Sequence, residues 1–325
     1  MLAVVLAAGR GTRLHPLTKH RSKAMMPVAG KPIIARVVEM LAEGGVDHFI
    51  VVAHPGDLGL LTYLARSPWA ARCRLAYQEQ RLGMADAVAC AAPLVQQEDA
   101  DEFVLASCDS LYPVDHVAAL VARRRREELD AAITLMWTPP EKATASAVVV
   151  VRDGAVADII EKPELAEIPS YSGGRHEALS APSLYALSTR VLEYVDQVGQ
   201  SSRGEREFPD ALRLLISEGG RVRGQLVESR KTLTRPRDLL SLNLEALQSD
   251  PSCATVASAI PADATLIPPV RIEEKVSVAP GCSIGPQAYL ETGCHVGSGA
   301  VIQRSVVMRG ARVEPNRSIR ESVIC

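Results

Sequence analysis

The 325-residue sequence has few aromatic residues and lacks an apolar run long enough to cross a bilayer. Phe, Trp and Tyr together make up 4% of the chain, so a wall of rings for stacking nucleobases is not expected. The apolar N-terminal stretch MLAVVLAAGR is shorter than the roughly 20 residues of a membrane span. No basic segment precedes the apolar run, and Gly9 follows its last alanine. We therefore expect a buried strand rather than a secretion signal, and no membrane partner.

Charge and cysteine spacing also exclude several classes. The formal net charge of −2 argues against a chain that coats nucleic acid, so any anion site must be local. The 7 cysteines are an odd number without Cys-x-x-Cys spacing, which predicts neither a disulfide framework nor a zinc site. Free thiols are typical of a reducing compartment, so a cytoplasmic location is expected. The length favours two domains.

Residues 1–248 alternate short β-branched runs with helical patterns. VVLAA and HFIVVAH have the composition of strands, whereas PIIARVVEMLAEGG has helical spacing, with Pro32 near its start and Gly44 at its end. Such alternation predicts βαβ units, an α/β domain with a mainly parallel sheet, and ligands at the carboxyl ends of the strands. The dipeptide Asp153-Gly154 between two apolar runs predicts a hairpin.

A different period begins near residue 270. Two series recur at steps of six, one large and apolar and one small: Ile272, Val278, Ile284, Leu290, Val296 and Ile302, and Val276, Cys282, Ala288, Cys294 and Ala300. A fixed repeat of this kind predicts stacked coils, and it resembles the hexapeptide repeat of left-handed parallel β-helices. We predict a short β-helix of about three coils over 270–325, after a Pro-rich linker at 249–269. Cys282 and Cys294 would then be core residues, and His295 would face outward.

Residues 6–27, LAAGRGTRLHPLTKHRSKAMMP, place glycines and cations directly after the first strand. The Walker pattern fails because no Gly-Lys-Ser/Thr ending is present, and the dinucleotide fingerprint fails because Leu14 stands where its third glycine belongs. Glycines allow backbone N–H groups to approach phosphate oxygens. Arg13 could grip phosphates with two hydrogen bonds, and Lys23 could add a point charge.

This segment resembles the nucleotidyltransferase family of sugar-1-phosphate nucleotidyltransferases (sugar-nucleotide pyrophosphorylases). The family pattern L-A-A-G, x-G-T-R, P-x-T and S-K-x-x-x-P is matched nearly throughout 6–27. The resemblance implies a Rossmann-like nucleotidyltransferase domain and Mg²⁺-dependent transfer of a nucleotidyl group from an NTP to a sugar-1-phosphate, releasing pyrophosphate. It also implies that Arg13 and Lys23 are catalytic residues. It also assigns part of the nucleotide site to Leu6, Ala7, Ala8, Gly9, Gly11 and Thr12.

Three downstream segments extend the resemblance. In YQEQRLGMADAV, Gln78, Gly83 and Met84 match the family's base- and ribose-binding segment. Asp109, directly after the run EFVLAS, matches the carboxylate that is both a metal ligand and catalytic, and oxygen donors of this kind suit Mg²⁺. Glu161 and Lys162 match the segment that holds the sugar and its phosphate, and Ser180 stands in the next sugar-binding segment.

The match fails on the acceptor side and at the second metal ligand. Ser146 and Ala147 replace an aromatic-glycine pair, Ser180 starts a segment that departs from the family's Asn-x-Gly, and Thr232 occupies the second metal position. Thr232, Glu228 or water could fill that position. The alternative is a non-catalytic or regulatory subunit. The residues leave the sugar open, and the base too: Gln78 suits a pyrimidine, yet guanylyl- and adenylyltransferase relatives also carry a β-helix. We expect a homo-oligomer, possibly through the β-helix, and no nucleic-acid partner.

Overall fold

A computed structural model of the chain describes residues 1–173 and 175–325. They divide into two compact units: Met1–Gly9 with Val37–Lys231, here called the sheet unit, and Arg10–Arg36 with Thr232–Cys325, here called the coil unit. The loop segment 10–36 thus groups with C-terminal residues, which the predicted boundary at 248 does not anticipate. Among the described residues, no helix is both long and apolar enough to span a bilayer.

The sheet unit is built on one mixed sheet. In chain order its strands are β1 (Leu2–Leu6), β2 (His48–Ala53), β3 (Cys73–Tyr77), β4 (Glu102–Ser107), β5 (Ala131–Thr138), β6 (Ala147–Arg152), β7 (Ala155–Glu161), β8 (Ala178–Ala181), β9 (Leu184–Ser188) and β10 (Val222–Leu226). Their order across the sheet is β7-β6-β8-β5-β9-β4-β1-β2-β3, and β10 pairs with β5. The strands β4, β1, β2 and β3 run parallel, as predicted, whereas β9, β8 and the β6–β7 hairpin pair antiparallel.

Amphipathic helices cover the sheet. In the sheet unit they are Leu58–Arg66, Met84–Gln97, Val114–Arg126 and Phe208–Ser217, with short helices at Pro140–Ala143, Ile168–Tyr171 and Leu192–Val195. In Met84–Gln97 the small apolar residues Val88, Ala91 and Val95 recur at helical spacing and are fully buried in the main core. A further helix, Ile33–Glu43, ends directly before Gly44, as predicted. The turn that follows contains Gly45, whose φ of 96° favours glycine.

The predicted hairpin joins β6 and β7. Asp153 and Gly154 both adopt positive φ, 51° and 75°, which is the conformation of a two-residue turn between antiparallel strands. The register shifts by one residue at an irregularity between Val156 and Asp158, so that Glu161 lies opposite Ala147. The turn and this irregularity together place Glu161, a residue of the predicted acceptor side.

The coil unit contains the hairpin strands Pro27–Val28 and Lys31–Pro32, the helix Pro236–Ser249 and the C-terminal coils. The helix starts at a proline, and the carboxylate of Asp238 accepts hydrogen bonds from the backbone N–H groups of Thr234 and Arg235 at 2.8 and 2.7 Å. The second donor is the N-cap residue, and the first directly precedes it, so Asp238 fixes the entry of the chain into the helix.

The C-terminal coils form three parallel faces. Their rungs are Thr265–Leu266, Ser283–Ile284, Val301–Gln303 and Ser318–Arg320 on the first face, Val270–Ile272, Ala288–Leu290, Ser305–Val307 and Val323–Ile324 on the second, and Ser277–Val278, His295–Val296 and Arg312–Val313 on the third. Both six-residue series point inward and are buried. His295 is exposed, and the buried Cys282 Sγ donates to the Gly297 carbonyl at 3.2 Å, in accord with the predictions.

The coils begin inside the segment predicted as a linker. Their number is closer to four than to the predicted three. Thr265–Leu266 already pairs with Ser283–Ile284, and Ala257 donates its backbone N–H to Ile272. The prolines and small residues of 249–269 are therefore largely the corners of a first coil. Composition alone does not separate such corners from a linker, because both consist of turn residues.

Candidate active site

The carboxyl ends of four parallel strands carry the nucleotide-side residues of the sheet unit. Leu6 at the end of β1 lies beside Ser107 of β4 and Val52 of β2, and Ala53 lies beside Tyr77 of β3. The residues that follow these strands therefore share one edge of the sheet. They include Ala7, Ala8 and Gly9 after β1, Asp109 after β4 and Gln78 after β3. Ligands in open α/β sheets bind at this edge.

The turn after β1 is held by backbone and arginine contacts. Ala7 donates its N–H to the Val52 carbonyl at 2.8 Å, and Arg81 Nε donates to the Ala8 carbonyl at 2.6 Å. Ala7 and Ala8 are buried, whereas Gly9 is exposed with nothing within 4 Å of a Cβ built on it. The open space at Gly9 allows a ligand to approach the backbone closely.

The rest of the predicted phosphate loop belongs to the coil unit. Gly11 has φ 65°, and a Cβ there would lie 3.0 Å from Lys23 Cβ. Thr18 Oγ1 donates to the Gly11 carbonyl at 3.0 Å, which closes the loop onto itself. Thr12 and Arg13 are exposed in a short 3₁₀ turn, and Lys23 is half-buried. The loop thus presents Arg13 to solvent and seats Lys23 against a glycine.

The base-side residues are tied together by Gln78. Its Nε2 donates to the Gly83 carbonyl at 2.9 Å and to the Asp86 carboxylate at 2.7 Å, so both amide protons are used within the protein. Only Oε1 can then face a ligand as a hydrogen-bond acceptor. Gly83 has φ 112°, and a Cβ on it would meet the Arg206 carbonyl oxygen at 2.5 Å. Met84 begins the helix that follows.

Asp109 lies one residue beyond Cys108, whose N–H bonds to the carbonyl of Leu6 at 3.1 Å. The hydroxyls of Ser107 and Ser110 both donate to Asp109 Oδ1, at 2.8 and 3.0 Å. Two such hydrogen bonds hold the carboxylate in one orientation. Asp109 therefore presents carboxylate oxygens at the strand edge.

Glu161, the last residue of β7, and Lys162, the residue after it, form an ion pair. Lys162 Nζ lies 3.0 Å from Glu161 Oε1 and 3.6 Å from Oε1 of the buried Glu207, which also accepts from Arg203 at 2.7 Å. Burial raises the pKa of Glu161, while the Lys162 ammonium opposes that rise. Lys162 adopts φ 47°, an uncommon conformation for a side chain of this kind.

Two of the sequence departures meet at this ion pair. Ala147 pairs with Glu161 on one side and with Ala181 on the other, and Lys162 donates its N–H to the Ser146 carbonyl at 3.1 Å. Ser180 on β8 is 2% exposed, and its hydroxyl has no hydrogen-bond partner among the described residues. An unpaired buried hydroxyl is costly, so this one is a candidate to bind a polar ligand.

Thr232, the position predicted for the second metal ligand, carries no carboxylate. Thr232 Oγ1 lies 3.3 Å from Thr234 Oγ1. Within residues 1–173 and 175–325, no group of three or more His, Cys, Asp and Glu side chains is arranged to hold a metal. Asp109 is therefore the candidate carboxylate ligand, and a bound cation would need substrate oxygens and water to complete its shell.

Sequence reasoning missed the arginines that support this site. Arg81 contacts the β1 turn, and Arg206 brackets Gly83 by accepting the Ala85 N–H at 2.9 Å and donating its own N–H to Leu82 at 2.5 Å. Arg206 comes from a segment more than a hundred residues away, so no local pattern could indicate its contact. Arg81 lies between Gln78 and Gly83, and that position was the one available signal.

The fold and the edge residues define a nucleotide-binding α/β protein with a C-terminal β-helix. The nucleotidyl transferase family matches residues 2–230, and the family described as the GMPPB C-terminal domain matches residues 266–325. The chain belongs to the nucleotidyl transferase family. It is a sugar-1-phosphate nucleotidyltransferase, which confirms the predicted family and enzyme class and does not favour the non-catalytic alternative.

Individual relatives of the chain carry the names of sugar-1-phosphate nucleotidyltransferases. The UTP–glucose-1-phosphate uridylyltransferase AglF of Haloferax volcanii is 31% identical over 221 residues, covering 67% of this chain and 85% of the relative. Mannose-1-phosphate guanylyltransferase 1 of Arabidopsis thaliana is 26% identical over 333 residues, covering 100% and 86%. A crystal structure of UDP-glucose pyrophosphorylase with UDP-glucose superposes with a TM-score of 0.65 at 20% identity, covering 76% of this chain and 98% of that one, and so supports the predicted fold.

Proposed function

We propose that Asp109, Lys23 and Arg13 carry the nucleotidyl transfer, with Mg²⁺ as the metal and Glu161, Lys162 and Ser180 on the acceptor side. The observation that supports this most directly is Asp109, a carboxylate at the edge where β4, β1, β2 and β3 end. The acceptor phosphate is already a nucleophile. No covalent enzyme intermediate is therefore needed, and the protein has to orient the two substrates and neutralise the charge of their phosphates.

Charge neutralisation is the main task of the two cations. Two unit charges 4 Å apart repel by about 4 kcal/mol at an effective dielectric of 20, so two phosphate groups do not approach unaided. Arg13 can bind phosphate oxygens through its fork of N–H groups, and Lys23 supplies a compact charge. Removing a donor that stabilises transition-state charge typically lowers kcat by about 10² to 10³.

The donor set fits Mg²⁺ that arrives with its nucleotide. Mg²⁺ keeps several waters and is commonly held by one or two carboxylates together with substrate phosphates, so one carboxylate is sufficient. Asp109 is the residue that would hold it, and the ion would neutralise developing charge at the phosphate. We expect weak metal binding by the protein alone, because the site has a single carboxylate ligand.

The hydrogen bonds of the Gln78 side chain determine which of its atoms could contact the nucleobase. Since both amide protons are used by Gly83 and Asp86, Oε1 is left to accept a hydrogen bond from the base. A ring N–H of uracil, thymine or guanine, or the amino group of adenine or cytosine, could donate it. We infer UTP or GTP as the nucleotides to test first, because relatives are named as uridylyl- and guanylyltransferases.

On the acceptor side, Glu161 can accept from sugar hydroxyls and Ser180 can meet a sugar oxygen with its unpaired hydroxyl. Lys162 is surrounded by carboxylates, so it binds the acceptor phosphate in competition with Glu161 and Glu207. Glucose-1-phosphate and mannose-1-phosphate are the first acceptors to test, since relatives are named for them.

The test is pyrophosphate release across five NTPs and a panel of sugar-1-phosphates. Asp109→Asn and Lys23→Gln should each lower kcat by about 10² or more. The matched controls are Asp101→Asn and Lys19→Gln, which change exposed residues of the same types and should retain wild-type kcat. Equal kcat in Asp109→Asn and Asp101→Asn would overturn the assignment of Asp109.

A further inference from the structure

Glu291 is a buried carboxylate at a corner of the β-helix. Its side chain is 4% exposed, and it lies between the rungs Ala288–Leu290 and His295–Val296. Arg21 binds it with two hydrogen bonds, from Nη1 to Oε1 at 2.6 Å and from Nη2 to Oε2 at 3.0 Å. The backbone N–H of Arg309 also donates to Oε2, at 2.8 Å. The main partner of this buried charge is therefore a residue of the phosphate-loop segment.

A bidentate arginine–carboxylate pair fixes orientation as well as position. Two parallel hydrogen bonds define the plane of the guanidinium, and a buried carboxylate without its partner is strongly unfavourable. Arg21 is 20% exposed, so solvent can replace only part of this interaction. The pair therefore holds residue 21 of the chain in one place relative to the coils of the same unit.

Arg21 stands two residues before Lys23 in a segment that is folded on itself. Lys23 begins the short 3₁₀ turn Lys23–Met25, and its Cβ lies against Gly11. Thr18 Oγ1 bonds to the Gly11 carbonyl. A displacement of Arg21 would therefore be transmitted to Lys23 and to the glycine turn that it contacts.

C-terminal residues also hold the far end of the segment. The fully buried amide of Asn243 accepts from the Ala29 N–H at 2.7 Å and donates to the Pro27 carbonyl at 3.0 Å. Gly30, with φ 82°, lies so close to the Arg271 guanidinium that a Cβ would stand 2.0 Å from it. Asn243 thus holds the end of the segment, and the Arg21–Glu291 pair holds it at residue 21.

We propose that Glu291 is a positioning residue for the nucleotidyl transfer: through Arg21 it fixes Lys23, so that the β-helix determines the geometry of the phosphate-binding segment. The proposal depends on the role of Lys23 given under Proposed function. It assigns the β-helix a part in catalysis, and it identifies the Glu291 corner as the point where a change in the coils would alter activity.

The test compares Glu291→Gln with Glu321→Gln. Glu321 is an exposed residue of the same β-helix and pairs with Arg304 at 3.0 Å, so it is the control for the loss of a carboxylate. Glu291→Gln should lower kcat by about 10-fold to 100-fold, as expected for a displacement of catalytic groups by about 1 Å, with a smaller change in KM for the sugar-1-phosphate. Glu321→Gln should leave both values unchanged.

A double-mutant cycle separates positioning from general loss of stability. If the effect passes through the pair, Arg21→Gln should lower kcat as Glu291→Gln does, and the double variant should be no worse than either. Additive losses, or an unchanged kcat in Glu291→Gln with a normal melting curve, would overturn the proposal. Arg21→Gln leaves the sequence of the β-helix unchanged. It can therefore replace Glu291→Gln as the test of the pair if Glu291→Gln fails to fold.

Hydrogen exchange gives a readout independent of activity. Amides of residues 11–26 should exchange faster in Glu291→Gln than in wild type and Glu321→Gln, while those of β1, β2 and β4 should be unchanged. If wild type releases no pyrophosphate, the proposed function fails, yet this measurement still decides whether Glu291 fixes the segment. Unchanged exchange over 11–26 would contradict the proposal.

Discussion

Replacing Gly83 with alanine tests the base site through a single methyl group. Gly83 precedes the helix Met84–Gln97 with φ 112° and ψ −174°, a region that is essentially restricted to glycine. An added Cβ would lie 2.5 Å from the carbonyl oxygen and 2.7 Å from the nitrogen of Arg206, both backbone atoms. The backbone strain costs about 1–3 kcal/mol and the overpacking about 1–3 kcal/mol more, so we expect a loss of about 2–6 kcal/mol in the free energy of unfolding.

The displacement should also reach the nucleotide. The Gly83 carbonyl accepts from Gln78 at 2.9 Å, so a shift of Gly83 moves Gln78 and should raise KM for the NTP more than it lowers kcat. Gly219→Ala is the matched control: Gly219 has φ 78° with nothing within 4 Å of its added Cβ, so it incurs backbone strain without a clash. Urea denaturation and steady-state kinetics measure both effects. Equal stability losses in the two variants, with KM unchanged in Gly83→Ala, would refute this reasoning.

Further predictions concern charge and protonation. Gln78→Glu would place a carboxylate against Asp86 and the Gly83 carbonyl, both of which require donors, so KM for the NTP should rise at least about 10-fold; an unchanged KM would remove Gln78 from the site. Burial lowers the pKa of His116, so the contribution of this residue to the free energy of unfolding should be complete above the unfolded pKa of about 6.5. It should be lost as the pH falls toward the lower folded pKa. In urea midpoints measured from pH 7.5 to 5, His116→Gln should therefore reduce the dependence of stability on pH. Burial raises the pKa of Cys294 to about 12 and that of Cys73 to about 11, so a thiol reagent should modify the exposed Cys325 first, and Cys325→Ser should abolish that rapid phase.

The location of the predicted nucleotide-side residues in the fold could be inferred because these residues follow strands that are plain in the sequence. Gln78 and Asp109 each come directly after an apolar run, and parallel strands bring their carboxyl ends to one edge. The inward tracks of the β-helix were also predictable, since a six-residue period places the same positions inside each coil. In both cases a local pattern carries the information.

The antiparallel half of the sheet was harder to predict. Strand β5 and strand β8 contain no turn signal that would indicate their partners, and β8 separates β6 from β5 although it follows both in sequence. Register between distant segments depends on packing that a single sequence does not display. For the same reason, the burial of Ser180 without a partner became evident only in the structure.

Contacts over long sequence separations were also beyond prediction. Arg21 and Glu291 are 270 positions apart, and neither lies in a pattern that would single it out. The segment 10–36 was predicted to belong with 1–248, because it follows the first strand directly. In the structure it groups with C-terminal residues, and side chains of Asn243, Arg271 and Glu291 contact it.

The most direct test of the account is to identify the product by ³¹P NMR after incubation of the chain with Mg²⁺, UTP or GTP, and glucose-1-phosphate or mannose-1-phosphate. The account predicts a nucleoside diphosphate sugar and pyrophosphate in equal amounts, both lost in Asp109→Asn and retained in Asp101→Asn. Pyrophosphate without a nucleoside diphosphate sugar, or an undiminished yield from Asp109→Asn, would contradict it.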